Sequence, residues 1–186
     1  MDELRNIDSI DINQQTIEEI IPRNITQLKK IENDVNRIIH DVKNNGNNAL
    51  IRYTKEFDKV ELKKEEIKVK ESEIQEAYKY VDEKLINALK FAKKNLIKFH
   101  RAQLKDEWFI NIVDGVKAGQ IYRPIESIGI YVPGGKAIYP STVLMAAAPA
   151  SVAGVTKITI CSPPQKNGKI APEILVAANE FNITNI

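Results

Sequence analysis

Apolar residues in the first half of the chain recur at steps of three and four, the spacing that places side chains on one side of an α-helix. The pattern predicts a helix over residues 24–45 that ends before Gly46. Asn47 is a candidate cap for a shorter second helix, because its side chain can accept a hydrogen bond from a free backbone amide of the first turn. The residues expected to face inward from this second helix are Leu50, Tyr53 and Phe57.

Residues 66–70 resemble a short strand, and the helical spacing resumes over residues 71–105. This long segment is predicted to break near Val81 and Asp82, where Asp82 can cap a second helix. Its expected inner face consists of eight regularly spaced residues: Ile74, Tyr78, Val81, Leu85, Leu89, Ala92, Leu96 and Phe99.

A hairpin is predicted after these helices. Apolar residues occupy alternate positions on both sides of Asp114 and Gly115, and Asp-Gly is a favoured two-residue turn between antiparallel strands. The alternating residues are Trp108, Ile110 and Ile112 before the turn, and Val116 and Ala118 after it.

The second half of the chain has a βαβαβ pattern. The predicted elements are strands over residues 127–132 and 157–161, helices over residues 141–153 and 172–180, and the start of a third strand over residues 181–186. Such crossovers build parallel sheets with a right-handed connection, so the predicted fold class is α/β. Pro149, inside the first of these helices, is expected to kink it or to remove a hydrogen bond.

The composition excludes several classes of protein. Of 186 residues, 43% are hydrophobic and 28% are charged, as in an ordinary soluble globular chain, and a net charge of +2 gives no field that points to nucleic acid or membrane. The polar, acidic amino terminus is unlike a signal peptide, and no apolar run approaches the ~20 residues of a membrane span. The single cysteine, Cys161, is expected to be a small buried core residue. A cytoplasmic location is therefore expected.

The segment Pro133-Gly134-Gly135-Lys136 joins the first strand of the βαβαβ unit to its first helix. In an open parallel sheet, ligands bind beyond the carboxyl ends of the strands. Paired glycines let a ligand approach the backbone, and Ser141 and Thr142 offer caps and free amides that favour an anionic group. The spacing matches neither a dinucleotide fingerprint nor a phosphate loop. On the pattern alone, a phosphate-bearing cofactor and a tight turn that binds nothing both remain open.

A long ordered match surrounds this motif. It comprises Tyr131-Val132-Pro133-Gly134-Gly135, residues 139–145, Pro149-Ala150, residues 152–155 and Cys161-Ser162-Pro163-Pro164. Weaker similarity lies at Thr54 with Phe57-Asp58, at Phe99-His100 with Gln103, at Gly119-Gln120 before Pro124-Ile125-Glu126, and over residues 172–186. In these residues the chain resembles the histidinol dehydrogenase family. The resemblance covers most of the chain and is strongest from Gly119 onward.

The resemblance implies a homodimer of four-domain subunits, two of whose domains are similar, incomplete Rossmann-like units. It implies oxidation of L-histidinol through L-histidinaldehyde to L-histidine, with two NAD molecules in turn, a zinc ion that holds the substrate, and a glutamate-histidine pair that moves protons. Residues 1–126 would form a helix-rich segment with the first part of domain one. Residues 127–186 would form the first part of the second, NAD-contacting domain.

The zinc ligands and the catalytic pair of the family are expected beyond the position that matches Ile186, so no catalytic or metal-binding residue is assigned in this chain. The chain is therefore expected to be an amino-terminal fragment without dehydrogenase activity by itself. Two other interpretations stay open: a stand-alone nucleotide- or phosphate-binding module, and a noncatalytic fragment that assembles through its apolar helices with another copy or with missing segments.

Three residues are assigned to contact with NAD, and a fourth, Lys136, has a simpler explanation. Tyr131 matches a family tyrosine that contacts NAD, and its ring can pack against an adenosine or nicotinamide face. Gly134 and Gly135 are expected to make room for the cofactor, although the requirement for a turn explains them equally well. Lys136 can meet a pyrophosphate, but a lysine on an exposed turn is more often solvated.

Other polar residues have simpler explanations. His100 lies near the end of a predicted helix, where an imidazole is favoured by the dipole, and His40 is expected at the surface. Cys161, His40 and His100 lie on three separate predicted elements. Zinc normally needs three or four protein ligands at local spacings, so these three residues are not expected to bind it. Asp58 is expected to brace a turn.

Overall fold

The computed structural model describes residues 25–134 and 137–186. The chain divides into two compact units, Met1–Gly46 and Asn47–Ile186. The described part of the first unit is helix α1, Ile25–Asn45, which confirms the predicted helix and its end. The backbone amide of Gly46 closes the last turn by donating to the carbonyl oxygen of Val42, 2.8 Å away.

The second unit begins with helix α2, Asn47–Tyr53, which passes directly into a short π-helix, Thr54–Asp58. The predicted inner face is right only for Tyr53, which is partly buried: Leu50 is 40% exposed, Phe57 is 57% exposed, and the buried residue of α2 is Ala49. The wider π turn changes the rotation between successive side chains, so the helical spacing assumed for Phe57 does not apply.

The strand predicted over residues 66–70 is wrong. A 3₁₀ turn, Lys64–Glu66, occupies the start of this segment. The carboxylate of Glu66 accepts a hydrogen bond from the backbone amide of Lys63 at 2.7 Å, which favours the local turn over pairing with a strand. Further along, the amide of Val69 donates to the carbonyl oxygen of Ile186 at 2.9 Å.

Helices α3, Glu71–Ala77, and α4, Glu83–Arg101, confirm the long helical segment and its predicted break. The side chain of Asp82 caps α4 by accepting a hydrogen bond from the amide of Lys84 at 2.9 Å. Seven of the eight expected inner residues are buried or partly buried in the core: Ile74, Tyr78, Val81, Leu85, Leu89, Ala92 and Leu96. Phe99 is 61% exposed and lies outside the core cluster.

The predicted hairpin is confirmed. Strand β1, Trp108–Val113, pairs in antiparallel fashion with β2, Val116–Gln120. Gly115 in the turn has a φ of +80°, a conformation that glycine adopts without steric cost. Both strands are exposed along their whole length.

The βαβα part of the second half is confirmed. It consists of β3, Ser127–Tyr131, α5, Pro140–Ala153, β4, Lys157–Cys161, and α6, Pro172–Asn179. Strands β3 and β4 pair in parallel from Ser127 opposite Lys157 to Tyr131 opposite Cys161. In place of a third strand there is a single parallel bridge between Thr159 and Asn185.

The expected start of α5 needs correction. The helix begins one residue earlier than predicted, with Pro140 in its first turn after Tyr139, so Ser141 is not its cap. Proline suits this position because its missing amide has no helical partner there. Pro149 lies inside the helix, which continues past it to Ala153, and the expected kink or lost hydrogen bond stays a prediction.

The core lies between one face of the β3–β4 sheet and helices α3 to α6. Ile130 and Ile160 are buried on this face, together with Leu144 of α5 and Val176 of α6. Alternation along the strand places Cys161 on the other face, where it is exposed, so its predicted burial is wrong. The division of the chain at residue 126 stays a prediction. No described helix is both long and apolar enough to cross a membrane.

Candidate functional site

A cleft of about 620 Å³ lies beyond the carboxyl ends of β3 and β4; we call it the strand-end cleft. Its lining residues come from the loops after both strands, from the π-helix and from the start of α6: Phe57, Asp58, Pro133, Gly134, Ile138, Ser162, Pro163, Pro164, Gln165, Lys166, Asn167, Ala171 and Ile174. The volume is within the range of about 300–1,000 Å³ that is typical of small-molecule sites. Both the position and the size therefore suit a ligand.

Gly134 contributes to the wall of this cleft in a way the sequence did not indicate. A methyl group at Gly134 would lie 3.1 Å from Cγ of Pro163, which is closer than an ordinary carbon contact. Nearby, the amide of Val132 donates to the carbonyl oxygen of Cys161 at 2.8 Å and holds the two loops together. Glycine at 134 thus permits two loops to approach each other. Gly135 and Lys136 lie outside the described residues.

Tyr131 lies at the end of β3 with 68% of its surface exposed. Its neighbours Ile130 and Val132 are buried, so the tyrosine ring is on the sheet face that lies away from the core. Gly134 lines the strand-end cleft, but Tyr131 does not. The structure therefore places these two predicted site residues on adjacent surfaces.

The π-helix supplies a wall of the cleft that the sequence analysis did not assign to a site. The ring of Phe57 stacks on Tyr53 with centroids 5.6 Å apart and planes 3° apart, and Asp58 follows it in the cleft. Lys59 ends the π-helix at a φ of +60°, a conformation uncommon outside glycine. Helical spacing gave no signal for this wall, although Phe57 and Asp58 do belong to the family resemblance.

The loop after β4 forms the polar side of the cleft. The amide of Gln165 donates to the carbonyl oxygen of Lys169 at 2.8 Å, and the side-chain oxygen of Asn167 accepts from the amide of Lys169 at 3.0 Å. These bonds hold a compact turn whose polar residues Gln165, Lys166 and Asn167 line the cleft. Such groups suit phosphate and hydroxyl oxygens, whereas Phe57 and Pro163 suit a planar ring.

The described residues do not form a metal site. His40 is exposed, and His100 is partly buried with its Nδ1 atom 2.6 Å from Oε1 of Gln103. No group of three histidine, cysteine, aspartate or glutamate side chains within residues 25–134 and 137–186 is placed to hold a metal ion. These residues therefore do not fit a zinc ion.

A polar network away from the strand-end cleft joins α3 to α6. The Tyr78 hydroxyl accepts a hydrogen bond from Nδ2 of Asn179 at 2.9 Å and donates to Oε1 of Glu180 at 3.3 Å. Burial raises the pKa of the Tyr78 hydroxyl, the bond from Asn179 lowers it, and the negative charge of Glu180 raises it again, with a net rise. These contacts connect two elements, and Glu180 also lines an open groove along α4 with Lys93 and Arg101.

Comparison with known proteins gives one family. The family model described as histidinol dehydrogenase matches residues 21–186. The histidinol dehydrogenase of Methanocaldococcus jannaschii is 44% identical over 177 residues, which cover 95% of this chain and 41% of that protein. That of Clostridium acetobutylicum is 47% identical over 149 residues, covering 80% of this chain and 34% of that protein.

Comparison of the fold with solved structures identifies the same family. A crystal structure of histidinol dehydrogenase from Elizabethkingia anophelis matches with a TM-score of 0.79 and 44% identity, over 84% of this chain and 36% of that one. The chain thus spans about two fifths of the length of the curated relatives it matches.

Proposed function

The chain belongs to the histidinol dehydrogenase family, and from that premise we propose that it is the amino-terminal part of an enzyme that oxidises L-histidinol through L-histidinaldehyde to L-histidine with NAD. The proposal is supported by identities of 44–47% that extend over 80–95% of the chain. The catalytic residues are expected in the part of the relatives' sequences that this chain does not match.

The strand-end cleft is the proposed contact site for NAD. Its position supports the proposal, because parallel sheets bind nucleotides beyond the carboxyl ends of their strands. Phe57 offers a ring face for an adenine or nicotinamide, and Asp58 offers acceptors for ribose hydroxyls. We assign Gly134 and Gly135 the role of leaving room for the cofactor, and Tyr131 the role of packing against it from the open sheet face.

NAD, when bound, accepts the hydride in each oxidation step. The residues of this chain would bind and orient that cofactor and exclude water from one side of it. Zinc is part of the proposed whole enzyme, but the described residues provide no ligands for it, so no step of the reaction is assigned to them. We therefore expect no oxidation of histidinol by this chain alone.

A cytoplasmic homodimer is also proposed for the whole enzyme. The face of the hairpin that carries Trp108, Ile110 and Ile112 supports association, because each of these side chains is at least half exposed and large exposed apolar patches mark contact surfaces. The single free cysteine, exposed at Cys161, suits a reducing compartment.

The test of the NAD site is a titration of the chain with NAD, followed by saturation-transfer NMR of the adenine and nicotinamide protons. Tyr131→Ala is expected to weaken binding about tenfold, since stacking on an aromatic ring contributes about 1–3 kcal/mol per base. Tyr122→Ala is the control, because Tyr122 is exposed, as Tyr131 is, but belongs to the segment before β3 and not to the carboxyl end of that strand.

Two results would contradict the proposal. If NAD gives no saturation transfer at millimolar concentration, the chain by itself is an assembly fragment and the cofactor site requires other residues. If both tyrosine variants weaken binding equally, Tyr131 has no specific role.

A further inference from the structure

A second cleft of about 390 Å³ lies between α3 and the start of α6; we call it the α3–α6 cleft. Its floor is apolar and consists of Val69, Ala77, Ile170, Pro172 and Leu175. Ala77 and Leu175 belong to the buried core, so this floor is fixed by packing. The cleft is large enough for a small organic molecule, which typically occupies about 300 Å³ or more.

Charges of both signs stand at the rim of this floor. Oε1 of Glu73 lies 3.9 Å from Nζ of Lys169, too far for a hydrogen bond, so both groups keep free capacity. The other oxygen of Glu73 accepts from the amide of Lys70 at 3.0 Å, which fixes the carboxylate in place. Glu76 adds a second carboxylate, which accepts from the Tyr80 hydroxyl at 3.3 Å.

We propose that the α3–α6 cleft binds a free α-amino acid with an aromatic or branched apolar side chain. An ammonium group suits the carboxylates of Glu73 and Glu76, and a carboxylate suits the ammonium of Lys169. The ring of Tyr80 and the apolar floor would cover the side chain. The site thus matches the three parts of such a zwitterion.

Other small-molecule classes fit less well. A phosphate ester would meet two carboxylates and one ammonium, which repel it on balance. A plain hydrocarbon would remove the charged rim from water without giving it new hydrogen bonds. Only a ligand with both charges close together satisfies Glu73 and Lys169 at once.

The two clefts share part of one loop. Gln165 and Asn167 line both the α3–α6 cleft and the strand-end cleft. An amino acid held by Lys169 would therefore restrict a turn that also lines the strand-end cleft. The prediction that the bound amino acid changes the affinity for NAD rests on the proposed function. The prediction that the amino acid binds does not depend on it.

The first experiment measures saturation-transfer NMR of L-phenylalanine with the chain, in parallel with phenethylamine, which lacks the carboxylate, and 3-phenylpropanoate, which lacks the amine. The expected result is binding of L-phenylalanine at least about tenfold tighter than of either analogue, because each analogue leaves one charged group unpaired. No binding of L-phenylalanine at millimolar concentration, or equal binding of all three compounds, would overturn the proposal.

Variants then locate the site. Lys169→Ala and Glu73→Gln are each expected to weaken L-phenylalanine binding about tenfold. Glutamine keeps an acceptor for the amide of Lys70, and Lys169 is 60% exposed, so both variants are expected to fold, as far-UV circular dichroism would check. Lys166→Ala is the control from the same loop, since Lys166 lines only the strand-end cleft. An equal loss in all three variants would place the ligand elsewhere.

Discussion

Gly134 and Pro163 come from the loops after two different strands, and a methyl group on Gly134 would lie 3.1 Å from Cγ of the proline ring. Gly134→Ala is therefore expected to move the Pro163 loop by a few tenths of an ångström and to weaken NAD binding about threefold to tenfold. The free energy of unfolding is expected to fall by about 1 kcal/mol. Saturation-transfer NMR with NAD and urea denaturation measure the two effects.

Gly129 provides the control for this variant. It lies in β3, and a Cβ atom there would have nothing within 4 Å. Gly129→Ala is expected to leave NAD binding unchanged and to stabilise the strand slightly, because alanine loses less conformational freedom than glycine on folding. If both alanine variants bind NAD like the original chain, the contact with Pro163 does not shape the cleft.

Tyr78→Phe removes the hydrogen bonds that connect the Tyr78 hydroxyl to Asn179 and Glu180. The side chain of Asn179 then loses an acceptor in a partly buried position, so the free energy of unfolding is expected to fall by about 1 kcal/mol. Urea denaturation at neutral pH measures it. Tyr122→Phe is a suitable comparison, because Tyr122 is exposed and its loss of a hydroxyl is expected to have no measurable effect.

The raised pKa of the Tyr78 hydroxyl gives a separate prediction for alkaline pH. Because the folded-state pKa lies above the unfolded value of about 10, the protonated hydroxyl contributes stability that is fully present below pH 10 and is lost as the pH rises through the folded pKa. The original chain is therefore expected to lose stability more steeply than Tyr78→Phe above about pH 10. Parallel slopes in urea denaturation against pH would show that Tyr78 does not titrate in this way.

Leu144→Ala tests the packing of α5. Leu144 is only 2% exposed and lies in the core cluster, so its truncation is expected to lower the free energy of unfolding by about 2–5 kcal/mol. Met145 is the next residue on the same helix and is 57% exposed, and Met145→Ala is expected to change that free energy by less than about 0.5 kcal/mol. Similar losses in the two variants would mean that α5 has a different buried face.

Much of the fold is predictable because its signals are local. Asp82 begins α4 and Asp114-Gly115 forms the hairpin turn, since a cap or a tight turn depends on a few neighbouring residues. The start of α5 and the exposure of Cys161, which were predicted wrongly, also had local signals. Proline favours the first turn of a helix, which indicates a start at Pro140. Side chains alternate along β4, so Cys161 lies on the face opposite to the buried Ile160.

The strand-end cleft depends on contacts that no local pattern contains. Pro163 meets Gly134 only because β3 and β4 pair in register, and Phe57 reaches the same cleft through a π-helix that the usual spacing does not anticipate. The motif around Gly134 predicts where a ligand binds, at the carboxyl end of β3. It does not predict which residues of the other loops complete the wall.

The core of α3 and α4 is completed by elements that are synthesised much later. Ile74 and Leu89 leave the ribosome long before Leu144 and Val176, with which they share one cluster, and at about 5–20 residues per second the delay is on the order of ten seconds. During translation, the apolar sides of α3 and α4 therefore stay open to chaperones and to other nascent chains. Slow synthesis or cold growth would lengthen that exposure and make the yield of folded protein depend on chaperone supply.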